Sequence, residues 1–242
     1  HGVDTIRMKK RELVVGATAV FGAAGFLFTP PPQENITYIR HELLSAIVRT
    51  EPHAAILFGG DMMFDRTIRT AIDGKGGDYI FSCIDDTLKN ADVVVANLEG
   101  PITGNASVSV DSLPGDGANY TFTFPATTAA LLFAHHIHLV NLGNNHILNF
   151  GYAGVVSTTE ILHDAGVGYF GLPAEASAQA GNPLEYSVAH ERVNAVPLAF
   201  INYNEFGPST GSGQAALLTV EQIKTAREVG EIPIVYTHWG IE

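Results

Sequence analysis

Short apolar runs bounded by turn residues recur along the chain from residue 54 onward, and such runs predict buried strands. The predicted strands are Ala54 to Phe58, Asp92 to Ala96, Ile137 to Leu142, Val167 to Phe170 and Ile232 to Thr237. Two further runs, Leu184 to Ala189 and Ala195 to Asn202, are separated by five residues, a spacing typical of a β-hairpin.

Apolar residues at helical spacing lie between these strands. They predict helices at Tyr79 to Lys89, Ala126 to Ala134, Gly154 to Ala165 and Thr219 to Val229. Strands that alternate with helices of this length favour crossover units and a mainly parallel sheet covered on both faces. With the hairpin added, we predict an α/β fold: a layered α/β sandwich of mixed β-sheets flanked by helices.

The first part of the chain has a different pattern. Met8-Lys9-Lys10-Arg11 precedes an uncharged apolar run of 16 residues, Leu13 to Phe28, and three prolines from Pro30 follow it. This is the order of a charged region, an apolar core and a helix stop in a signal segment. As a helix the run would span about 24 Å, against a hydrocarbon core of about 30 Å.

This pattern predicts three regions. Residues 1–33 are a signal anchor with a Pro-rich linker, residues 34–53 a juxtamembrane helix, and residues 54–242 a partial globular domain. Because bulky Phe26, Leu27 and Phe28 stand where a cleavage site needs small residues, we expect an uncleaved, single-pass anchor in the cell membrane. The basic residues would stay cytoplasmic and the domain extracytoplasmic. A buried core helix is the alternative for the apolar run.

The amino-acid composition favours a packed globular protein and argues against a nucleic-acid-binding one. The chain has 242 residues, of which 46% are hydrophobic and 16% charged, so a packed core is expected rather than disorder. Its formal net charge of -12 argues against nucleic-acid binding, because a phosphate backbone is bound by clustered Lys and Arg. An acidic surface suits solubility, and it also suits a site that collects divalent cations.

Polar residues follow four of the predicted strands directly. They are Asp61, Glu99, Asn144-Asn145-His146 and His238. In open α/β sheets, ligands bind beyond the carboxyl ends of strands. Each residue alone has an ordinary explanation as a turn or core hydrogen-bonding group. At one rim of one sheet, however, they would together supply oxygen and imidazole ligands that suit Mn, Fe or Zn ions.

Four ordered motifs carry a family resemblance. They are Gly60-Asp61-Met62-Met63-Phe64-Asp65-Arg66, Ala96-Asn97-Leu98-Glu99-Gly100-Pro101, Asn141-Leu142-Gly143-Asn144-Asn145-His146 and His238-Trp239-Gly240-Ile241-Glu242. Over residues 54–242 the chain thereby resembles the bacterial capsule synthesis CapA/PgsA proteins. That family is similar to calcineurin-like metallophosphoesterases, so the resemblance implies a fold of the metallophosphoesterase type and a site for two divalent metal ions.

The resemblance also implies a role for each matched residue. Asp61 would ligate one metal, and Glu99 would occupy the position of the bridging carboxylate. Asn145 would ligate through its amide oxygen, and His238 through its imidazole. His146 would be the general acid or a transition-state stabiliser beside the metals.

Other residues fit the family pattern less directly. Arg66 would bind an anionic substrate group, or it would pair with Asp65 or another acid. Met63 stands where the wider superfamily has His, so one metal site should have fewer ligands and lower affinity. Because the chain ends at Glu242, before the superfamily's final Gly-His-x-His, we expect this chain alone to be weakly active or inactive.

The resemblance implies an export-side, metal-dependent hydrolase of capsule or poly-γ-glutamate biosynthesis, which acts on an anionic polymer or a phosphoester. Two other functions stay open. One is a non-catalytic assembly or export factor that supports a membrane synthase complex, and the other is a general metal-dependent phosphoesterase. No residue in the sequence identifies the substrate.

Overall fold

Four parallel strands form the first sheet of the computed structural model, which describes residues 52–172, 188–206 and 212–239. Their order in the sheet follows the chain: β1 (Ile56–Met62), β2 (Val93–Leu98), β3 (Leu139–Asn141) and β4 (Gly168–Phe170). The connecting helices are α1 (Arg66–Lys75), α2 (Asp78–Phe81), α3 (Asp85–Lys89), α4 (Thr127–Ala134) and α5 (Gly151–Asp164). A short 3-10 turn occupies Gly117–Tyr120.

The second sheet has three strands. β5 (Val188–Val193) and β6 (Val196–Asn204) are antiparallel, and β7 (Ile232–His238) runs parallel to β6 after helix α6 (Ser212–Glu228). The predicted hairpin is confirmed, although its turn is tighter than expected. Asn194 and Ala195 both have positive φ, 49° and 68°, as a two-residue turn between twisted strands requires.

The molecule is a layered α/β sandwich, as predicted. One core lies between the first sheet and its helices, and includes Val94 and Leu98 of β2 with Leu132 and Leu162 of the helices. Because side chains alternate along a strand, Val95 points the other way, into a second core between the two sheets. Helix α6 packs against β6 and β7.

Strand β1 differs from the prediction of a buried strand that ends at Phe58. It is an edge strand that continues to Met62, and the Phe58 side chain is 48% exposed. The pairing register with β2 shifts between Phe58 and Asp61, which is the mark of a β-bulge. The bulge places Asp61 beside Asn97, so Asp61 lies within a strand and not in a loop after it.

The single helix predicted at Tyr79 to Lys89 is also wrong, because two short helices occupy this stretch. The Ser82 hydroxyl donates to the Tyr79 carbonyl at 2.8 Å, a local bond that competes with the helical ladder.

The predicted signal anchor, most of the juxtamembrane helix and Glu242 lie outside the described residues. Within residues 52–172, 188–206 and 212–239, no helix is both long and apolar enough to cross a bilayer.

Candidate metal centre

The space between the two sheets changes from apolar to polar along the strands. Residues two positions apart on a strand share a face, and three of the five buried apolar residues of the inter-sheet core are followed by an asparagine on the same face. The three pairs are Val95 and Asn97, Leu139 and Asn141, and Phe200 and Asn202. The sheets are therefore held together by an apolar core that ends in a layer of amides.

Two glycines make room for this amide layer. A Cβ atom added to Gly143 would collide with the side-chain amide of Asn202, and one added to Gly171 would lie 2.9 Å from the Asn202 Cβ. Gly171 also has a φ of +81°, which favours glycine. The close approach of the two sheets at this end depends on both glycines.

Asn97 organises the polar end of the interface. Its Nδ2 donates to Asp61 Oδ1 at 2.8 Å and to the Glu99 carboxylate, while its Oδ1 accepts from Asn141 and Asn144, each at 3.0 Å. Asn97 is completely buried, so one amide fixes the orientation of two carboxylates. The sequence analysis assigned it no role, although a polar residue interrupting the apolar run Val93–Leu98 was the available signal.

Asp61, Glu99 and His238 converge above this amide layer, and one ligand atom from each lies within 4.8 Å of the others. His238 Nδ1 is 3.6 Å from Asp61 Oδ1, and His238 Nε2 is 3.5 Å from Glu99 Oε1. Two ligands bound to one ion at about 2.1 Å are separated by roughly 3.0 to 3.4 Å in octahedral or tetrahedral geometry. The observed spacing is close to that of metal ligands.

Asn145 joins the same cluster, because its Oδ1 accepts a hydrogen bond from His238 Nε2 at 2.9 Å. The structure thus brings all four predicted ligands together. It corrects the expectation of a single sheet, however. Asp61 and Glu99 belong to the first sheet and the segment that follows it, whereas His238 ends β7 of the second. The cluster therefore depends on how the two sheets face each other.

The imidazole of His238 divides the donors into two groups, because one ion binds only one ring nitrogen. Glu99 and Asn145 lie on the Nε2 side, at 3.5 and 2.9 Å. Asp61 lies on the Nδ1 side. Asn97 links Asp61 to Glu99 across this division. An ion on the Nε2 side would have a nitrogen, a carboxylate oxygen and an amide oxygen within reach.

Local electrostatics follow from these contacts. The imidazole of His238, 3.6 Å away, holds the pKa of Asp61 below its ordinary value, with a further contribution from Asn97. Burial, together with the negative charges of Asp61 and Glu99, raises the pKa of Tyr236 to about 12. The Tyr236 hydroxyl donates to the Gly59 carbonyl at 2.5 Å. This bond ties β7 to the edge strand β1 next to the cluster.

His146 lies beside the cluster. Its Nε2 is 3.9 Å from Glu99 Oε1, and its ring packs against Phe122 with centroids 4.3 Å apart. The Asn149 amide donates to His146 Nδ1 at 3.1 Å. Because Nδ1 accepts this bond, the proton of a neutral ring sits on Nε2 and faces Glu99. Asn144 Oδ1 holds the loop by accepting from the backbone N–H of His146 at 3.0 Å.

Arg66 also packs against Phe122. Its Nε donates to the Asn119 carbonyl at 2.7 Å, and its guanidinium carbon lies 4.6 Å from the centre of the Phe122 ring and 5.3 Å from that of Tyr120. The alternative that Arg66 pairs with Asp65 is not found. Asp65 instead accepts from Arg69 Nε at 3.0 Å.

Comparison with known proteins identifies the family of the chain. A family model described as "Bacterial capsule synthesis protein PGA_cap" matches residues 55–242. The chain belongs to this family. The resemblance that the four motifs predicted is thereby confirmed.

Two curated relatives extend the comparison. The "Capsule biosynthesis protein CapA" of Bacillus anthracis is 24% identical over 196 residues, which are 76% of this chain and 46% of that protein. A "Probable polyglutamine synthesis accessory protein" of Mycobacterium tuberculosis is 29% identical over 164 residues, 62% of this chain and 41% of that protein. The chain therefore spans less than half the length of these relatives.

A solved structure with partial similarity is a hypothetical protein from Thermus thermophilus. It shares 18% sequence identity at a TM-score of 0.42, with 77% of this chain and 58% of that chain covered.

Proposed function

We propose that this chain forms the metal-binding part of an export-side, metal-dependent hydrolase of capsule or poly-γ-glutamate biosynthesis. One observation carries the proposal: Asp61, Glu99 and His238 present ligand atoms within 4.8 Å of one another, with Asn145 hydrogen-bonded to His238. Membership of the capsule synthesis family supports the biological setting. The catalytic role and the number of ions are part of the proposal.

The donor set fits a first-row divalent cation. Carboxylate and amide oxygens with an imidazole nitrogen suit Mn, Fe or Zn. Glu99, Asn145 and His238 would hold one ion, and Asp61 together with Glu99 would hold a second. When bound, such ions polarise a scissile group and lower the pKa of a coordinated water. Met63 offers no imidazole to the second ion, so we expect that ion to be held more weakly.

The side chains of the protein supply proton transfer and orientation. His146 carries its proton on Nε2 because Asn149 occupies Nδ1, so the ring presents a donor beside Glu99. A donor at this position would stabilise the leaving or non-bridging oxygen of a substrate. Phe122 covers the ring of His146 and restricts its rotation. Asn97 keeps the two carboxylates aimed at the same space.

The location and partners that we propose for the protein are inferred from its sequence. The basic residues and apolar run before residue 29 support an N-terminal anchor in the cell membrane, with the domain outside it. In that setting the substrate is an anionic polymer or a phosphoester, and the partner is a membrane synthase complex. A general phosphoesterase activity would use the same metal centre on other esters.

A second candidate is a non-catalytic assembly or export factor. It is favoured by the name of the Mycobacterium tuberculosis relative, which describes that protein as an accessory protein. Under this alternative the metal centre would stabilise the fold or a complex with the synthase, and His146 would have no chemical role.

The test uses the complete natural protein that carries this chain, with Mn²⁺ added. We expect His146→Ala to lower hydrolysis of a generic phosphodiester by about 10² to 10⁴-fold, because a positioned proton donor contributes about that much. A matched control is His163→Ala on α5, whose side chain is 84% exposed. Polymer production is measured in parallel in cells.

Two outcomes separate the candidates. If His146→Ala abolishes hydrolysis and polymer production while His163→Ala does not, the hydrolase is supported. If production continues with a folded His146→Ala protein, the assembly factor is the better account. Phosphodiester hydrolysis without any effect on polymer would indicate a general phosphoesterase.

A further inference from the structure

Arg66 is held in a backbone conformation that side chains rarely adopt. Its φ is +51°, in the left-handed region, where a long side chain costs free energy. It stands where β1 passes into α1, immediately after the buried Asp65. Such strain persists only where neighbouring contacts enforce it, and the contacts around Arg66 do so.

The conformation is enforced through Asp65, which is fully buried. Its Oδ1 accepts from Arg69 Nε at 3.0 Å and from the Ser107 hydroxyl at 2.6 Å, while its Oδ2 accepts from the Thr123 N–H at 2.9 Å. These bonds join the start of α1 to the segment between β2 and α4. Asp65 therefore positions its neighbour Arg66 and is not directed towards the metal cluster.

The same segment cradles the guanidinium of Arg66. The Asn119 carbonyl accepts from Nε at 2.7 Å, and the rings of Tyr120 and Phe122 lie beneath the guanidinium. Stacking on aromatic faces holds the planar group and leaves its outer nitrogens for a planar anion. Asn119 is itself fixed, because its amide donates to the Ser112 hydroxyl at 2.9 Å.

The guanidinium of Arg66 has unused hydrogen-bonding capacity. Nη2 is buried and has no hydrogen-bond partner among the described residues. No carboxylate among those residues lies within ion-pair distance of Arg66, and the residue as a whole is partly exposed. A buried donor without an acceptor is costly. Because the residue is partly exposed, an oxyanion would pair with the guanidinium at its exposed edge rather than at Nη2.

This edge lies close to the proposed reaction centre. The guanidinium carbon is 4.6 Å and the His146 ring 4.3 Å from the same Phe122 ring centre, so they are separated by at most about 9 Å, the sum of these distances. We infer that Arg66 forms an anion subsite, which binds a second oxyanion group of a polyanionic substrate whose reacting group lies beside His146. This inference rests on the proposed function for its reacting group, but the binding itself needs no metal.

The chemistry of the subsite fits two classes of substrate group. A chain with a net charge of -12 attracts a polyanion only through local positive charge, which Arg66 supplies at this place. The guanidinium of Arg66 can form paired hydrogen bonds with either a carboxylate or a phosphate group. A carboxylate would come from a glutamate polymer, and a phosphate from a phosphoester.

The experiment measures binding by calorimetry to the complete protein, both after removal of metal with EDTA and with Mn²⁺ added. The two probes are a short γ-linked glutamate oligomer and inorganic phosphate. We expect Arg66→Gln to weaken binding of one probe about tenfold or more in the metal-free protein, as loss of a charge-assisted hydrogen bond implies. Arg66→Lys should restore only part of the affinity, because a lysine cannot form the paired hydrogen bonds of a guanidinium.

Arg192→Gln is the matched control, since Arg192 is an exposed arginine on β5 that loses the same charge. An effect of Arg66→Gln on the glutamate oligomer alone supports a carboxylate subsite, and an effect on phosphate alone supports a phosphoester subsite. The inference is overturned if Arg66→Gln leaves both probes unaffected, or if Arg192→Gln weakens binding equally. Should Arg66→Gln fail to fold, as judged by circular dichroism, Arg66→Lys decides by the same criteria.

Failure of the two proposals is distinguishable. If phosphodiester hydrolysis is absent but Arg66 still governs metal-free binding, the proposed function fails and the subsite stands. If hydrolysis depends on His146 but Arg66→Gln binds both probes normally, the subsite fails and the hydrolase stands.

Discussion

Two clusters in this molecule combine one histidine with two carboxylates, yet they have different properties. They are the sheet cluster, Asp61, Glu99 and His238, and the helix cluster, Asp78, Asp85 and His135. The residue types are the same in both. The difference lies in where the donor and acceptor atoms point.

In the helix cluster, each charge has its own partner. His135 Nδ1 is 2.6 Å from Asp85, and Nε2 is 3.1 Å from Asp78, so the ring bridges two carboxylates that lie on opposite sides of it. Lys89 donates to Asp85 at 2.5 Å, and the His135 ring stacks on Phe81 at 4.6 Å. This is an arrangement that joins α2, α3 and α4.

In the sheet cluster the imidazole of His238 also lies between two carboxylates, at 3.6 Å from Asp61 and 3.5 Å from Glu99. Here, however, one ligand atom from each of the three residues lies within 4.8 Å of the others, and Asn145 adds an amide oxygen beside His238 Nε2. Asp61 and Glu99 are both held by the single amide of Asn97. An amide orients carboxylates without neutralising them, so their combined negative charge remains available to a cation. The direction of the acceptor atoms, and not residue composition, therefore identifies the candidate metal centre.

The two clusters should differ most in metal affinity. We expect Glu99→Gln in the complete protein to lower Mn²⁺ affinity about 100-fold or more, because it removes the charge that both groups of donors share. Asp85→Asn removes the same charge from the helix cluster and should leave Mn²⁺ affinity unchanged. Calorimetric titration of both variants measures the difference. Equal losses in the two variants would mean that the sheet cluster is not the metal centre.

The second prediction concerns the stability of the fold, which should depend on the helix cluster, whereas metal affinity should not. We expect His135→Ala to lower the free energy of unfolding by about 2 kcal/mol, because it removes a buried ring that stacks on Phe81 and leaves a cavity in its place. Mn²⁺ affinity should not change. Urea denaturation with His163→Ala as the exposed control measures the effect. A metal-affinity loss in His135→Ala with no loss of stability would reverse the roles given to the two clusters.

Much of the sheet cluster could be predicted from the sequence, because polar residues that follow apolar strand runs lie at strand ends in any α/β sheet. This rule placed Glu99, Asn145 and His238 correctly near one another. The sequence could not show that His238 comes from a second sheet, since which strands pair depends on long-range packing. Nor could it show the bulge in β1 that brings Asp61 opposite Asn97.

The parts that escaped prediction share a physical cause. Asn97 acts through contacts to residues 36 and 44 positions away, and Arg66 through Asn119, 53 positions away. Local periodicity carries no information on such distant pairs. The hairpin of β5 and β6, in contrast, forms between neighbouring runs, and its existence was predicted correctly.

The smallest expected effect is the pH dependence of stability that comes from the helix cluster. The hydrogen bond from Lys89, followed by that from His135, holds the pKa of Asp85 below its ordinary value of 3.8.

A carboxyl whose pKa is lower in the folded than in the unfolded state stabilises the fold above the unfolded pKa, and this contribution is lost as pH falls through the folded pKa. We therefore expect the melting temperature of Asp85→Asn to be slightly below that of the unmodified protein at pH 6, with the gap closing below pH of about 3.8. Because the side chain of Asp85 is partly exposed to solvent, added salt should shrink the gap as well. A gap that stayed constant from pH 6 to acid would show that the ion pairs of the helix cluster do not stabilise the fold, and the contrast with the sheet cluster would then rest on geometry alone.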